Sequence, residues 1–410
     1  MEASGAMSRH GELPSTADAV VVGGGTVGGW CAVFLREHGL RDVVVVEAGT
    51  LGQGASSRAA GMVRAQGGTE TAVRLGMFSR EFYLSQRDRY PLDSGFVEQG
   101  YLMPAFSEPE IEQAHARIAM QQSLGLDVEW LDAAALDAMR TGMATGAALG
   151  ASYAAGDGYL EPPRNVLAYT AALIDADVPI VERTRFTGLD VSDGAVRGVR
   201  TTAGTIATER VVLTGGPQLG AVGSLAGARV PVGGARHQVV VMEVSPDLPV
   251  HELPMAFDLA SGIYWRPDES GGLQWGMSNP DEPPGESPRF DEDYFAKMRA
   301  RMAQVIPATA GLGVRRMWAA TIDYTPDHLP ILGPVITDGG PITGTVLAAA
   351  GGHGMMWGPG VAKVAADLAA TGTTDLVDVT DLGLTRFDAD GRSSLAADPI
   401  ALPFPERTTA

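Results

Sequence analysis

Apolar runs alternate with glycine-rich and polar segments from the start of the chain. The stretch 19–49, AVVVGGGTVGGWCAVFLREHGLRDVVVVEAG, opens on an apolar run over residues 20–22. A helical pattern over residues 26–38 and a second apolar run, residues 43–46, follow it. Continuous apolar strands of this kind are buried on both faces of a parallel sheet. The pattern therefore predicts a strand, helix, strand unit within an α/β domain.

A second group of apolar segments lies in the middle of the chain. Residues 238–244, 262–265 and 273–277 read as strands of another sheet, and residues 291–305 read as a helix that covers it. The proline-rich segment 279–288 predicts a surface loop.

The glycines between the first strand and its helix have the G-x-G-x-x-G spacing. Gly23 allows the tight turn, Gly25 lets a pyrophosphate approach the backbone, and Gly28 lets the helix pack against the strand. Glu47 ends the second strand, nineteen residues after Gly28, where a carboxylate can accept hydrogen bonds from a ribose. The whole unit predicts dinucleotide binding.

Length, charge and cysteine content narrow the class further. The 410 residues exceed the usual size of one hydrophobic core, so two domains are expected. The net charge of −19 argues against a nucleic-acid or anionic-membrane partner. Cys31 is the only cysteine, which fits a reducing compartment. We find no signal peptide, no apolar run long enough for a membrane span and no metal site, and expect a cytoplasmic protein.

The segment after Glu47 decides between two dinucleotides. Residues 48–66, AGTLGQGASSRAAGMVRAQ, form a loop of small residues that leads into a predicted helix over residues 71–84. This loop is similar to the second dinucleotide contact of the D-amino-acid oxidase superfamily of flavoproteins. The resemblance implies FAD. No second complete strand, G-x-G-x-x-G and helix unit supports a separate NAD(P)H site.

Two later segments resemble one branch of that superfamily. RRMWAATIDYTPDHLPILGPV, residues 315–335, and VLAAAGGHGMMWGPGVAKVAADLAA, residues 346–370, are similar to segments of sarcosine oxidase beta subunits, dimethylglycine and sarcosine dehydrogenases, and proline dehydrogenase beta subunits. In the second segment Pro359 suits the first turn of a helix that runs to about Ala370. The similarity runs in order from about residue 18 to residue 372.

The resemblance implies an α/β fold in which a Rossmann-like FAD-binding domain is interleaved with an α+β substrate domain built on a mainly antiparallel sheet. The FAD-binding domain is expected to contain residues 15–95, 155–232 and 330–380. The substrate domain is expected to contain residues 96–154 and 233–329. Residues 1–14 and 383–410 are expected to be flexible or extended termini.

The same resemblance implies the residues that contact the cofactor. These are Gly23, Gly25, Thr26, Val27, Gly28, Glu47, Ala48, Ser56, Ser57, Arg58, Ala60, Gly61, Met62, Phe186, Gly215, Gly216, Gly351, Gly352, His353, Gly354 and Met355. Relatives that bond flavin covalently carry a cysteine near Ala320 or a histidine at Arg58. We therefore expect FAD to be bound noncovalently.

Four residues are candidates for handling the substrate. Arg64 falls where monomeric sarcosine oxidase relatives carry a substrate-binding arginine, and a guanidinium can orient a carboxylate through two parallel hydrogen bonds. Tyr264 and Arg266 share one face of a predicted strand. That face is either the pocket or solvent, and Arg64 is either a substrate ligand or a surface charge. His353 contacts the flavin or is hydrogen-bonded within its own loop.

Three departures from the relatives bear on the reaction. Ile322 stands near the carboxylate-binding arginine of glycine and D-amino-acid oxidases, which argues against that branch. Gln274 and Met356 stand where monomeric sarcosine oxidases have lysines, one of which activates oxygen over the flavin. These two changes argue against a simple sarcosine oxidase.

The resemblance implies an FAD-dependent oxidoreductase that oxidises the C–N bond of a secondary, N-methylated or cyclic amino acid, with Arg64, Tyr264 and Arg266 positioning the substrate. Oxygen or an acceptor protein would take the electrons. Two alternatives stay open: a flavoenzyme acting on an α-hydroxy acid or a biosynthetic amino acid, and a nonenzymatic flavin-binding assembly factor. The sequence does not define the oligomeric state.

Overall fold

The computed structural model describes residues 11–285 and 289–400. Parts of the predicted termini and of the predicted loop 279–288 lie outside the described residues. Within the described part of the chain, no helix is both long and apolar enough to cross a membrane.

A six-stranded sheet contains the predicted strand, helix, strand unit. Its order is Ile331–Gly333, Thr345–Ala349, Val211–Leu213, Ala19–Val22, Val43–Val46 and Ile180–Val181. Every neighbouring pair is parallel except the antiparallel pair formed by Ile331–Gly333 and Thr345–Ala349. Strand Ala19–Val22 is fully buried, and alternate residues enter different cores: Val21 joins the cluster under helix Thr26–Glu37, and Val20 joins the cluster on the other face. The sheet is covered on both faces, as the continuous apolar runs predict.

The second large sheet has eight strands. Its order is Val314–Tyr324, Gly233–Met242, Leu273–Ser278, Tyr264–Pro267, Met255–Phe257, Tyr101–Ala105, Gly150–Ala154 and Glu129–Asp132. Its neighbours are antiparallel except Met255–Phe257 with Tyr101–Ala105. Helix Glu292–Val305 buries Tyr294, Met298 and Met302 in the core of this sheet. The predicted α/β fold class is confirmed, and the assignment of separate FAD and substrate domains stays a prediction.

The remaining elements are shorter or lie at the edges of these sheets. Two three-stranded sheets contain Phe186–Ser192, Ala195–Thr201 and Gly204–Ala207, and Met62–Val63, Gly158–Tyr159 and Val97–Glu98. Ile336–Thr337 pairs with Gly340–Pro341. The other helices are Glu70–Arg89, Glu108–Ser123, Ala133–Ala138, Pro162–Asp175, Leu219–Leu225 and Gly358–Thr371.

Element boundaries differ from the sequence expectations where pairing or capping decides them. The strand predicted over residues 238–244 begins at Gly233, because Gly233 already pairs with Tyr324. The helix predicted over residues 71–84 begins at Glu70, since the Thr69 side chain accepts the Ala72 amide, and it continues to Arg89. Strand pairing and the local cap therefore set the starts of these two elements, and the strand ends at Met242, two residues before the predicted end.

Residues 383–400, expected to be flexible or extended, contain one short 3₁₀ helix, Leu384–Arg386, and no strand or α-helix. They are nevertheless packed against the body of the protein. Arg386 forms a buried ion pair with Asp327, with Nε 2.7 Å from Oδ2 and Nη2 3.1 Å from Oδ1. Ile400 is fully buried. Residues 383–400 are therefore largely without regular secondary structure, but they are held to the rest of the protein by buried contacts.

Candidate active site

A long cavity begins at the carboxyl edge of the six-stranded sheet and ends against the eight-stranded sheet. Backbone loops form its first half, over residues 23–28, 50, 52–56, 59–62, 214–218, 348–350 and 352–356. Side chains close its far end: Arg64, Tyr101, His237, Phe257, Tyr264, Ile322 and Asp323. The cavity therefore joins a backbone-lined part to an aromatic part with one guanidinium.

The loop before helix Thr26–Glu37 is shaped by its glycines. Gly23 has a φ of +101°, and a Cβ on Gly28 would lie 1.9 Å from the Gly23 carbonyl oxygen. Only glycine fits this approach, because no side chain can be that close to a peptide oxygen. The Ser56 hydroxyl accepts the Thr26 amide at 2.9 Å. Because the helix N-terminus faces the cavity, it offers amides and positive dipole charge to an anion there.

Glu47 lies at the end of the second strand and lines the cavity. Its Oε2 accepts the Gly24 amide and its Oε1 accepts the Gly49 amide, both at 2.7 Å. These two bonds fix the carboxylate beside the glycine loop. The position suits hydrogen bonds from a ribose in the cavity.

The loop of small residues is fastened to the eight-stranded sheet at Ala60. The Ala60 carbonyl accepts Arg266 Nε at 2.6 Å and Gln274 Nε2 at 2.8 Å. A Cβ on Gly61 would lie 2.1 Å from the Leu160 carbonyl oxygen, so this residue must be glycine. Arg266 and Gln274, which are paired across adjacent strands, thus hold the loop that borders the cavity.

The loop before helix Gly358–Thr371 forms another side of the cavity. Gly351 and Gly352 have positive φ values of +61° and +94°. The His353 ring lies with Nδ1 3.2 Å from the Gly351 carbonyl oxygen and stacks on Trp357 at 4.0 Å between centroids. Burial, with the nearby Arg64 charge, holds the pKa of His353 well below its usual range. His353 is therefore a neutral imidazole at the cavity wall.

Arg64 supplies the guanidinium of the aromatic part. It is 3% exposed, and it donates from Nη2 to the Ile400 carbonyl at 2.9 Å and from Nη1 to the Gln66 carbonyl. Its guanidinium carbon lies 6.0 Å from the centroid of the Phe257 ring. Both carbonyls are neutral and leave the guanidinium charged, and the Asp398 carboxylate also interacts electrostatically with Arg64.

A polar chain that the sequence analysis missed crosses the floor of the aromatic part. His237 Nε2 is hydrogen-bonded to the Tyr264 hydroxyl, and His237 Nδ1 lies 2.8 Å from the Ser278 hydroxyl. A Cβ on Gly276 would lie 2.1 Å from the Tyr264 hydroxyl, so the ring rests over a glycine. Burial lowers the pKa of His237 to about 4 and raises that of Tyr264, so both are neutral. One signal was available, because His237 is a polar residue within the apolar strand segment RHQVVVMEV.

Most of the predicted site residues border this cavity. They are Gly23, Gly25, Thr26, Val27, Gly28, Glu47, Ser56, Ala60, Gly61, Met62, Arg64, Gly215, Gly216, Tyr264, Gly352, His353, Gly354 and Met355.

The other predicted residues lie outside the cavity lining. Arg266 is buried, but its guanidinium binds Ala60, the Pro267 carbonyl and, at 2.9 Å, Glu161. Arg58 donates to backbone carbonyls of its own loop, and Phe186 packs in a core of the six-stranded sheet. Ala48, Ser57 and Gly351 neighbour lining residues without lining the cavity themselves.

The lining of the cavity fits a dinucleotide. The glycine loop provides amides for a pyrophosphate, and Glu47 provides a ribose acceptor. Gly216 and Gly354 line the cavity, and a Cβ at either would meet no other atom within 4 Å. The fold and the site together define a dinucleotide-binding protein of the α/β class.

Comparison with known proteins identifies the family. The profile of the FAD dependent oxidoreductase family (DAO) matches residues 18–368, and the chain belongs to this family. This confirms the resemblance to the D-amino-acid oxidase superfamily. The chain is 29% identical to 4-methylaminobutanoate oxidase (formaldehyde-forming) of Paenarthrobacter nicotinovorans over 89% of this chain and 45% of that protein. It is 26% identical to the sarcosine oxidase beta subunit of Arthrobacter sp over 77% of this chain and 78% of that protein.

Solved structures have the same fold. L-proline dehydrogenase from P. horikoshii superimposes with a TM-score of 0.83 at 24% identity, over 90% of this chain and 97% of that one. Glycine oxidase from Geobacillus kaustophilus gives 0.79 at 27% identity, over 92% of this chain and 100% of that one. The chain spans less than half the length of the matched 4-methylaminobutanoate oxidase.

The buried His237 gives the protein an acid-sensitive step in stability. Its pKa is about 4 in the folded protein and 6.5 when unperturbed, so the unfolded chain binds the extra proton between these values. We expect the free energy of unfolding to fall as the pH drops from 6.5 to 4, with up to about 3 kcal/mol from this residue. Denaturant unfolding of wild type and His237→Gln across that range measures the difference. Parallel pH profiles for the two proteins would contradict the prediction.

Proposed function

We propose that this protein binds FAD noncovalently and oxidises the C–N bond of a secondary, N-methylated or cyclic amino acid. The observation that carries the proposal is the buried Arg64 guanidinium at the aromatic end of a cavity whose other half is lined by the glycine loop and Glu47. An arginine can bind a carboxylate through two parallel hydrogen bonds, which fix both the position and the orientation of the carboxylate. The neighbouring Tyr101, Phe257 and Tyr264 suit a small, partly apolar substrate. Together these features favour an amino acid bound by its carboxylate.

Noncovalent binding is proposed from two positions. Ala320 has no nucleophilic atom, and the Arg58 guanidinium is hydrogen-bonded within its own loop. Neither residue can provide the thioether or histidyl bond found in covalent relatives. The family-type division into an FAD-binding and a substrate domain is proposed along with it, because the cavity lies between the two large sheets.

Bound FAD supplies the acceptor for the hydride that leaves the substrate carbon. The protein's own task is to hold the amino acid with its C–H toward the ring and with its nitrogen neutral. A protonated amine has no free electron pair for imine formation. The Arg64 charge, in a site shielded from water, lowers the pKa of a nearby ammonium group and favours the reactive form. Water then hydrolyses the imine product.

Tyr264 and His237 add a hydrogen-bonding floor to this pocket. Both are uncharged, so the positive charge of Arg64 is not opposed by an anion at that position. The phenol can orient the substrate, and the histidine fixes the rotation of the phenol through its hydrogen bond. We propose positioning roles for these two residues. We also propose that His353 and its glycines border the flavin and tune its electrostatics.

The electron acceptor is proposed from the residues near Ala60. Gln274 stands where monomeric sarcosine oxidases have a lysine, and its side-chain amide donates a hydrogen bond to the Ala60 carbonyl. Met356 lines the cavity without charge. Neither residue places a cation for superoxide formation, so Arg64 is the charge in the cavity that could support reaction with oxygen. We propose oxygen or an acceptor protein as the electron acceptor.

Names of the relatives support the substrate class. They include an oxidase of 4-methylaminobutanoate, a sarcosine oxidase subunit and an L-proline dehydrogenase. All three names refer to amines in which nitrogen carries two carbon substituents. A glycine oxidase, whose substrate is a primary amine, is also among them. The shared requirement is an amino acid with a free carboxylate.

Anaerobic flavin reduction tests the proposal. The FAD-loaded protein is mixed in turn with sarcosine, dimethylglycine, 4-methylaminobutanoate and L-proline, and the oxidised flavin absorbance is followed. We expect at least one of these amines to bleach the band. Lactate, as an α-hydroxy acid, is the comparison compound. Bleaching by lactate alone, or by none of the compounds, would overturn the proposed reaction, and the rate of recovery in air separates oxidase from dehydrogenase.

A further inference from the structure

Residues 383–400 reach the aromatic end of the cavity, where Ile400 packs. Ile400 has no exposed surface, and it belongs to one hydrophobic cluster with Met62, Tyr101, Phe257 and Tyr264. All four of those residues line the cavity. Ile400 itself therefore lies directly behind the wall of the proposed substrate pocket.

The backbone of Ile400 contacts the proposed carboxylate ligand. Its carbonyl accepts Arg64 Nη2 at 2.9 Å, and the Gln66 carbonyl accepts Nη1. A guanidinium has five N–H donors in one plane. The two carbonyls and a side-chain hydrogen bond with Tyr101 fix that plane, and further donors remain. Arg64 lines the cavity, and those remaining donors are available to a ligand there.

A chain of contacts keeps Ile400 in place. Its amide donates to Asp398 Oδ1 at 2.8 Å, and the Asp398 amide donates to the Asp327 carbonyl at 3.0 Å. Asp327 is in turn the partner of Arg386 in a buried ion pair. The segment is thus bound to the Asp327 loop through Arg386 and Asp398, and Ile400, two residues after Asp398, contacts Arg64.

We propose that Ile400 is a positioning residue for substrate binding. Its side chain docks the segment against the pocket wall, and its carbonyl holds the Arg64 guanidinium with free N–H groups toward the cavity. The ligand that this arrangement recognises is a small organic carboxylate. The inference rests on the proposed function of Arg64 as the carboxylate ligand.

The test measures carboxylate recognition without turnover. The FAD-loaded full chain is titrated with propionate and benzoate, and with the corresponding primary amides, while the flavin absorbance is recorded. We expect each carboxylate to bind more tightly than its amide. In Ile400→Ala that preference should fall about tenfold, the effect of weakening one hydrogen bond from a charged group. Ile400→Val, which keeps a branched side chain, should retain most of the preference.

Leu384→Ala is the matched control, because it removes a buried aliphatic side chain from the same segment in a different core. It should leave the carboxylate preference unchanged, and thermal unfolding confirms that each variant is folded. An unchanged preference in folded Ile400→Ala would overturn the proposal. So would a stronger preference, since the carbonyl would then compete with the ligand, or a wild type that binds acid and amide equally. Failure of every amine to reduce the flavin concerns the proposed reaction alone and leaves this measurement valid.

Discussion

Gly28→Ala is expected to abolish FAD binding. The added Cβ would lie 1.9 Å from the Gly23 carbonyl oxygen and 3.0 Å from the Thr214 hydroxyl. The first neighbour is backbone, so the turn between the strand and helix Thr26–Glu37 would have to open. Opening it moves the amides that face the cavity away from their positions for a pyrophosphate. The ratio of flavin absorbance to protein absorbance after reconstitution measures the loss.

A second glycine-to-alanine substitution, at a position with free space, tests whether the loss of FAD binding is specific to Gly28. A Cβ on Gly311 would meet no other atom within 4 Å, and Gly311 has no positive φ. We expect Gly311→Ala to bind FAD like the wild type. A Gly28→Ala protein with full flavin content would show that the glycine loop does not hold the dinucleotide.

The sequence was sufficient to predict the first half of the cavity because its determinants are local. The glycine spacing, the buried strand Val43–Val46 and Glu47 lie within one continuous segment. Hydrogen bonds of Glu47 to Gly24 and Gly49 also remain within that segment. In such a unit the apolar periodicity predicts the strands and the helix, and the glycines and Glu47 predict the shape of the loop between them.

The aromatic half could not be predicted to the same extent, because strand pairing creates it. His237 faces Tyr264 only because the strands that carry them both pair with Leu273–Ser278. The alternation along one strand predicts Tyr264 and Arg266 on a common side. Only Tyr264 lines the cavity, because the Arg266 guanidinium is bound by Glu161 and by the Ala60 carbonyl. Register between distant strands is not encoded in either strand alone.

Ile400 is the extreme case of a nonlocal determinant. It lies 336 positions after Arg64 and belongs to a segment whose composition is typical of a loose terminus. The ion pair between Arg386 and Asp327, the hydrogen bonds of Asp398 and Ile400, and the burial of Leu384 and Ile400 distinguish it from such a terminus. The sequence pattern does not indicate this anchor, because an arginine, an aspartate and an isoleucine far apart in the chain give no sign that they meet.

Arg64→Gln is expected to lower kcat/KM for the amine that reduces the flavin by roughly 100- to 1000-fold. Loss of one partner from a buried, hydrogen-bonded charge pair leaves the other charge unpaired and costs about 2–5 kcal/mol. In this case the unpaired group is the substrate carboxylate. The loss should appear mainly in KM if the carboxylate is bound equally in the ground and transition states. Steady-state kinetics with the identified amine and a suitable acceptor measure both parameters.

Arg266→Gln provides the comparison, because Arg266 was the other candidate for the substrate carboxylate. It is 1% exposed and paired with Glu161, so its removal should lower stability, as expected for a broken buried ion pair. The selectivity for a carboxylate over its amide should nevertheless persist in Arg266→Gln and disappear in Arg64→Gln. The reverse result would assign the carboxylate to Arg266 and require that its guanidinium leave Ala60 and Glu161 when substrate binds. The two variants therefore decide which arginine recognises the substrate.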